Sequence, residues 1–197
     1  ALMLSIWLGP RTKRESQHYN LPWVLLGTTI LWIGWYGFNA GSALAVNSVA
    51  LQAVFTTTIA AATSMVAWMI IEVYLKKRVT LVGTCTGTLC GLVGITPAAG
   101  YVTLAGAFWI GMIATIVSYV FVEYAKPKLK FDDPLDAFGC HGMSGIWGSI
   151  ATGLFATHHV NSAVTTDGFF YGGGSHLLMV QIIATLATMV FVCLGVS

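Results

Sequence analysis

Apolar positions run almost without interruption through six long intervals of the chain. The intervals are roughly 21–47, 49–75, 79–97, 101–124, 135–157 and 176–197. Each holds about 19 to 27 residues, which as a helix would measure about 28 to 40 Å and would cross a hydrocarbon core of about 30 Å. None alternates strictly between polar and apolar residues over about ten positions, as a β-barrel strand does. The pattern predicts an all-α integral membrane protein, with the apolar residues 1–9 as the end of a preceding span.

The composition supports this class. Hydrophobic residues make up 56% of the 197 positions and charged residues only 8%, whereas a soluble domain carries about 25% charge. A soluble globular fold and disorder are therefore both excluded. The net charge of +2 gives no basic surface for a nucleic acid. The four cysteines have no zinc-like spacing, and we expect free, buried thiols and no metal site.

The basic residues predict how the chain is oriented. All nine fall into three clusters, and two predicted spans separate each cluster from the next. Because cytoplasmic loops are rich in Lys and Arg, we expect loops 10–18, 76–78 and 126–130 to be cytoplasmic and the loop 158–175 to be external. The last span would then end inside without a basic flank, so residues 1–197 are expected to be one partial transmembrane domain. The clusters contain Arg11, Lys13, Arg14, Lys76, Lys77, Arg78, Lys126, Lys128 and Lys130.

Acidic residues lie near the predicted cytoplasmic ends of the spans or in loops, so no buried carboxylate relay is expected. Asp133 and Asp136 flank a Pro just before the fifth span. Aspartate at a helix start satisfies free backbone N–H groups and complements the helix dipole, and Pro fits the first turn. The two residues are therefore predicted to be structural, as helix caps.

One histidine differs from the other four, which lie in or beside loops. His141 lies about six residues inside the fifth predicted span. A titratable side chain in a membrane helix must face protein or a water-filled cavity, and it is a functional candidate by default. The alternative is a hydrogen-bonded packing residue. Gly139, Gly142 and Gly145 would leave space beside the ring, which favours a residue that lines a pore.

The first span carries a stripe of large side chains. Leu31, Trp35, Phe38 and Ser42 follow one another at helical spacing, so they share one face. Such a stripe is usually lipid-facing or part of a core. Because it ends in the polar Ser42 and the neighbouring Asn39, it would also suit a selective mouth above an apolar constriction.

Small residues recur at helical spacing, which predicts close helix packing. The clearest runs are Gly37 to Gly41, Gly83 to Gly91 in steps of four, and Gly142 to Gly148 in steps of three.

Three segments carry a family resemblance. Gly37-Phe-Asn-Ala-Gly-Ser-Ala43, Gly91-Leu-Val-Gly-Ile-Thr-Pro97 and the stretch from Asp132 to Gly148 resemble the ammonium transporter family (Amt/Mep/Rh), on its Amt/Mep side. The similarity covers nearly the whole chain in the expected order. It implies a subunit of eleven helices in two inverted halves, of which this chain would be the end of helix 5 through helix 11.

The resemblance also implies roles for single residues. His141 matches the second of two facing pore histidines, Phe38 the inner ring of a stacked phenylalanine gate, and Ser42 a group of the external recruitment site. Leu31, Trp35 and Ala137 match positions that line the apolar lumen, where Ala137 is smaller than the usual aliphatic residue. Their partners in the first half would lie before residue 1, so this stretch alone is not expected to transport.

The implied activity is transport of ammonium or ammonia. The cation would be held outside, lose a proton, and cross as neutral ammonia with a histidine relay. Methylammonium would serve as an analogue, and the site needs no cofactor. The implied assembly is a homotrimer in the plasma or inner membrane, embedded in a lipid bilayer and open to a PII-type regulatory protein.

Two alternatives have other functions. A non-conducting ammonium sensor could keep the same fold. A membrane redox subunit could use His141 as a haem ligand, but it would need a second buried histidine on a facing helix. No phosphate loop, nucleophile elbow or metalloenzyme motif is found, so the chain is not expected to be an enzyme.

Overall fold

A computed structural model describes residues 2–10, 20–129 and 132–196 of the chain. Over these ranges the protein is all-α, and its only β-type pairing is an isolated bridge between Val102 and Ala156. The elements in order are α1 (Leu2–Leu8), α2 (Leu21–Gly41), α3 (Ser48–Lys76), α4 (Leu81–Ile95), α5 (Leu104–Val120), a π-helical segment π1 (Phe121–Ala125), α6 (Lys126–Leu129), a second π-helical segment π2 (Phe138–Gly142), α7 (Met143–Phe155), a 3₁₀ turn (Phe169–Tyr171) and α8 (His176–Val196).

Four helical stretches are long and apolar enough to cross a membrane. They are Leu21–Gly41, Ser48–Lys76, Leu104–Leu129 and His176–Val196, and α4 is a shorter apolar helix. The chain is thus an all-α, multi-pass integral membrane protein. The basic residues Arg11, Lys13, Arg14 and Lys130 lie outside the described residues.

Each of the six apolar intervals contains one main helix, but two helices stop early. Interval 21–47 predicts a helix up to residue 47, whereas α2 ends at Gly41 and residues 42–47 form turns. Leu44 there has a φ of 52°, which no helix allows. Helix α4 ends at Ile95 and residues 96–101 form turns, because Pro97 has no N–H with which to continue the helical hydrogen bonds.

Four helices begin with a side-chain cap. The side chains of Asn20, Asn47, Thr80 and Thr103 each accept a hydrogen bond from the backbone N–H three residues on. An oxygen at this position satisfies one of the N–H groups that a helix start leaves free. Helices α2 to α5 therefore have starts set by local sequence.

Glycine allows α3 and α4 to pack closely. A Cβ at Gly87 would lie 2.5 Å from Cβ of Trp68, and a Cβ at Gly91 would overlap the carbonyl oxygen of Ala60. Gly111 of α5 meets the same Ala60 carbonyl from the other side. The close packing that the glycine spacing predicts is confirmed for this face of α4.

Hydroxyl groups join the same three helices. Ser64 Oγ lies 2.6 Å from both the Gly87 carbonyl oxygen and Thr115 Oγ1, and Thr115 Oγ1 donates to the Ser64 carbonyl at 2.9 Å. Ser64 and Thr115 are fully buried. Since buried polar groups require partners, these bonds fix the registry of α3, α4 and α5.

A buried carboxylate joins the end of α3 to the start of α4. Glu72 is 2% exposed. It accepts hydrogen bonds from the Thr80 backbone N–H at 2.8 Å and from Thr80 Oγ1 at 2.9 Å. Lys76 lies 3.9 Å from Glu72 and donates to Glu123 of π1 at 2.6 Å. The ends of α3 and α5 and the start of α4 are thereby linked.

The connection between α7 and α8 is held to the helix ends by hydrogen bonds. The N–H of Thr157 donates to the Tyr101 carbonyl at 2.9 Å. Asp167 accepts from the backbone N–H of His158 at 2.6 Å, and its other oxygen lies 2.5 Å from His158 Nδ1. The backbone hydrogen bond from His158 is the main reason that the pKa of Asp167 is lowered from its usual value.

The Asp167 carboxylate should make the stability of this connection depend on pH. A carboxyl group whose pKa is lower in the folded state contributes its full stabilisation above the usual carboxyl pKa of about 3.9, and loses it as the pH falls through the lowered value. We expect the unfolding midpoint of the full-length protein to exceed that of Asp167→Asn above about pH 4, and the gap to close in acid. A gap that stays constant with pH would contradict this role.

Candidate functional site

Two aromatic side chains of α2 lie beside the histidine of π2. The ring centroids of Trp35 and His141 are 6.3 Å apart, and their planes are inclined by 27°. The Phe38 ring follows at 5.9 Å from Trp35 with an interplanar angle of 60°. The structure therefore brings together three residues that lie up to about 100 positions apart in the sequence.

A groove of about 460 Å³ runs along the same face of α2. Its lining consists only of apolar residues and glycine: Ile30, Leu31, Gly34, Trp35 and Phe38. Phe38 is 62% exposed and Leu31 47% exposed. The face is thus an apolar wall that the described residues leave uncovered.

Two polar residues, Ser42 and Asn39, lie at the end of this face, and they differ in burial and in hydrogen-bond partners. Ser42 Oγ is exposed and donates to the Phe38 carbonyl at 2.6 Å, so its lone pairs remain available to a donor. Asn39 is buried and donates to Thr57 Oγ1 of α3 at 2.9 Å. Asn39 therefore points into the helix packing, while Ser42 stays on the exposed side.

The start of π2 is held by a buried carboxylate. Asp133 accepts hydrogen bonds from the backbone N–H groups of Ala137 and Phe138, both at 2.9 Å, and from that of Gly139 at 3.4 Å. Ala137 itself is half-buried and lies four residues before His141. Since Asp133 lies eight positions before His141 and binds the first turn, it fixes where the histidine segment begins.

Asp136 supports the same turn from the other side. It adopts the left-handed region with a φ of 52° and forms an ion pair with Lys126. Lys126 Nζ also donates to the Asp133 carbonyl at 3.0 Å. Residues 133–136 are thereby tied back to α6 at both aspartates.

Replacing Asp133 should destabilise the protein measurably. Alanine leaves the N–H groups of Ala137 and Phe138 without their partner, at a cost of about 1–2 kcal/mol of unfolding free energy. Asparagine keeps one acceptor oxygen, so Asp133→Asn should lose less than Asp133→Ala. Thermal unfolding of the purified full-length variants measures both. Equal midpoints for wild type and Asp133→Ala would show that the cap contributes nothing.

The two π-helical segments pack against each other. The rings of Phe121 and Phe138 lie 5.2 Å apart at 68°. A Cβ at Gly139 would lie 2.5 Å from Val122 Cγ2, and one at Gly142 would lie 2.5 Å from the Phe138 ring. The expectation that these two glycines leave space beside His141 is wrong, because the space is already filled by Val122 and Phe138. Single π-helical turns of this kind often occur at functional sites.

Sequence reasoning missed one residue of the site. Trp35 Nε1 donates a hydrogen bond of 2.8 Å to Thr96 Oγ1 at the end of α4. Thr96 lies within the segment Gly91 to Pro97, but a lone Thr before Pro carries no pattern that predicts contact with a tryptophan 61 residues earlier.

Metal binding finds no support in the part of the chain that the structure describes. No three His, Cys, Asp or Glu side chains cluster there in a way that could hold an ion. The neighbouring His158 and His159 rings lie 4.0 Å apart, but His158 is engaged with Asp167. Of the four cysteines, Cys85, Cys90 and Cys140 are buried.

Comparison with known proteins identifies close relatives. The family model described as "Ammonium Transporter Family" matches residues 1–196. An ammonium transporter of Bacillus subtilis is 47% identical over 97% of this chain and 47% of its own length. An ammonium transporter of Aquifex aeolicus is 44% identical over 96% of this chain and 44% of its own length. The chain therefore spans about half the length of the curated relatives that it matches.

Solved structures share the fold. Candida albicans Mep2 superposes with a TM-score of 0.82 at 31% identity, and covers 98% of this chain and 45% of its own. A structure titled "Sensor Amt Protein" superposes with a TM-score of 0.80 at 28% identity. The match covers 98% of this chain and 50% of the chain in that structure.

Proposed function

The chain belongs to the ammonium transporter family, and on that premise we propose that it forms part of a protein that moves ammonium or ammonia across a membrane. Relatives in this family are named as transporters rather than enzymes. The observation that carries the proposal is the wall built by Trp35, Phe38 and His141 along an otherwise apolar groove.

An apolar wall selects ammonium by chemistry rather than by size. Ammonium and potassium have similar radii and the same charge, so a charged filter separates them poorly. An uncharged lumen excludes both cations, because burying an unpaired ion is very costly. Ammonium alone can leave its proton behind and cross as neutral ammonia. The uncharged groove along Leu31, Trp35 and Phe38 fits this requirement.

Recruitment is proposed at the Ser42 end of α2. The exposed Phe38 face attracts a cation through its ring electrons. The Ser42 oxygen can accept one ammonium hydrogen, since its own proton is already donated to the Phe38 carbonyl. Phe38 thus serves as gate and Ser42 as recruitment group. Leu31, Trp35 and Ala137 line the lumen beyond them.

His141 is proposed as the relay within the lumen. A neutral imidazole donates from one ring nitrogen and accepts at the other, and its pKa in water lies near 6.5. It can therefore pass a hydrogen-bonded molecule or a proton without a fixed charge. Trp35 lies beside the ring with its plane inclined by 27°, while His141 itself is exposed among the described residues.

The surroundings of the site form a further part of the proposal. We place the basic segments 10–18, 76–78 and 126–130 in the cytoplasm of a plasma or inner membrane, although Lys76 ends α3 and residues 126–129 form α6 rather than a loop. We also propose a homotrimer that a PII-type protein could regulate from that side. These features follow from the family resemblance and the positive-inside pattern.

A sensor function is the second candidate. It is favoured by the similarity to the structure titled "Sensor Amt Protein". A sensor would bind ammonium at the outer end without conducting it. The haem alternative has lost its basis, since the relatives of this chain are named ammonium transporters.

Uptake by the full-length protein separates the candidates. It would be expressed in cells that lack their own ammonium transporters and tested with labelled methylammonium. A transporter should accumulate the label above control cells, and Phe38→Ala should reduce that uptake. Binding of methylammonium without uptake would support the sensor, and neither binding nor uptake would refute the proposal.

A further inference from the structure

Thr96 joins the end of α4 to the pore wall on α2. Its Oγ1 accepts the Trp35 indole N–H at 2.8 Å and lies 2.8 Å from the Leu92 carbonyl, to which it donates. The single hydroxyl hydrogen is thus used within α4, and the lone pairs face Trp35. The direction of this hydrogen bond is therefore fixed.

The end of α4 is in turn fixed to the helix that follows His141. A Cβ at Gly148 of α7 would overlap the carbonyl oxygen of Gly94 and lie 3.1 Å from Pro97 Cδ. Helix α7 continues directly from π2. Trp35 therefore contacts both Thr96 and His141, and the packing of α7 on α4 joins the elements that carry those two residues.

We propose that Thr96 is a positioning residue of the pore: its hydroxyl holds the Trp35 ring against His141 and occupies the indole N–H. The inference rests on the proposed function, because it assigns Trp35 and His141 to the lumen. Occupying the N–H leaves the Trp35 part of the wall without a hydrogen-bond donor.

Loss of the hydroxyl would affect passage rather than recruitment. An unpaired indole N–H seeks a new acceptor, and the lumen offers water or ammonia. A molecule held there must leave before the next one moves, which lowers the maximal rate. The concentration for half-maximal uptake depends on the outer end of α2, where Ser42 lies, and should stay unchanged.

The test uses three variants of the full-length protein, with uptake normalised to the amount in the membrane. Thr96→Val keeps the side-chain shape without the hydroxyl and should lower the maximal rate of methylammonium uptake about five- to tenfold, the worth of one hydrogen bond. Thr96→Ser keeps the hydroxyl and should restore most of the rate. Thr88→Val is the matched control, since the hydroxyl of this buried threonine donates to the Thr84 carbonyl within α4.

A double-mutant cycle separates positioning from general destabilisation. If Thr96 acts through the indole N–H, Thr96→Val should have no further effect in a Trp35→Phe background. Wild-type uptake by Thr96→Val, an equal loss in Thr88→Val, or additive losses in the double variant would each overturn the inference. Failure of the proposed function looks different, because the wild-type protein itself would then take up no methylammonium.

Discussion

His141→Ala should reduce methylammonium uptake about 100-fold or more, the usual contribution of a positioned acid–base group. Within the described residues, His141 is the titratable side chain that meets the proposed pore wall, through its contact with Trp35. Alanine removes both the hydrogen-bond donor and the acceptor from the lumen. Neutral ammonia would then lose the hydrogen-bond partner that this part of the protein supplies.

The matched control is His159→Ala. His159 lies in the connection between α7 and α8, with its ring against His158, and takes no part in the proposed wall. The His159→Ala variant should take up methylammonium at the same rate as the wild-type protein. Uptake and ion selectivity unchanged in His141→Ala would contradict the relay role.

Among the glycine-to-alanine substitutions in α7, Gly148→Ala should lower the stability of the folded protein most. The added Cβ would overlap the Gly94 carbonyl, and neither backbone can move without shifting α4 or α7. Overpacking of this kind costs about 1–3 kcal/mol. Because Gly94 precedes Thr96 by two residues, the displacement would also reach the partner of Trp35.

Gly145→Ala provides the comparison within the same helix. Its Cβ would meet Val93 Cγ1 at 3.8 Å, an ordinary contact. Replacing a helical glycine by alanine then gains about 0.5–1 kcal/mol. In thermal unfolding of the two full-length variants, the midpoint of Gly145→Ala should be at or above that of the wild-type protein. The midpoint of Gly148→Ala should be well below it. The reverse order would show that α4 and α7 do not pack as described.

Much of the fold could be predicted from the chain itself, because a membrane leaves few structural options. Every backbone polar group must be satisfied within a span, so a long apolar run predicts a helix. The glycine spacing of α4 predicted close helix packing, and the structure shows α3 as the partner. The end of α2 at Gly41 could not be predicted, because residues 42–47 contain no Gly or Pro that would stop a helix, yet they fold into turns.

The site was only partly predictable. His141 stood out because a titratable group inside a span is rare. His141 contacts Trp35, and Trp35 donates a hydrogen bond to Thr96. Both interactions depend on how helices distant in the sequence pack, and the spacing of residues within one helix does not predict that packing. The glycines beside His141 show the opposite case. A local pattern suggested open space, but the tertiary structure fills it with Val122 and Phe138.

The proposed lumen carries neutral ammonia and excludes cations. The most direct test reconstitutes the full-length protein in liposomes and follows methylammonium and rubidium, a potassium analogue, in the same preparation. We predict that methylammonium enters the vesicles while rubidium stays at the level of protein-free liposomes. Rubidium entry at a rate comparable to that of methylammonium would show that the lumen conducts cations and does not select neutral ammonia.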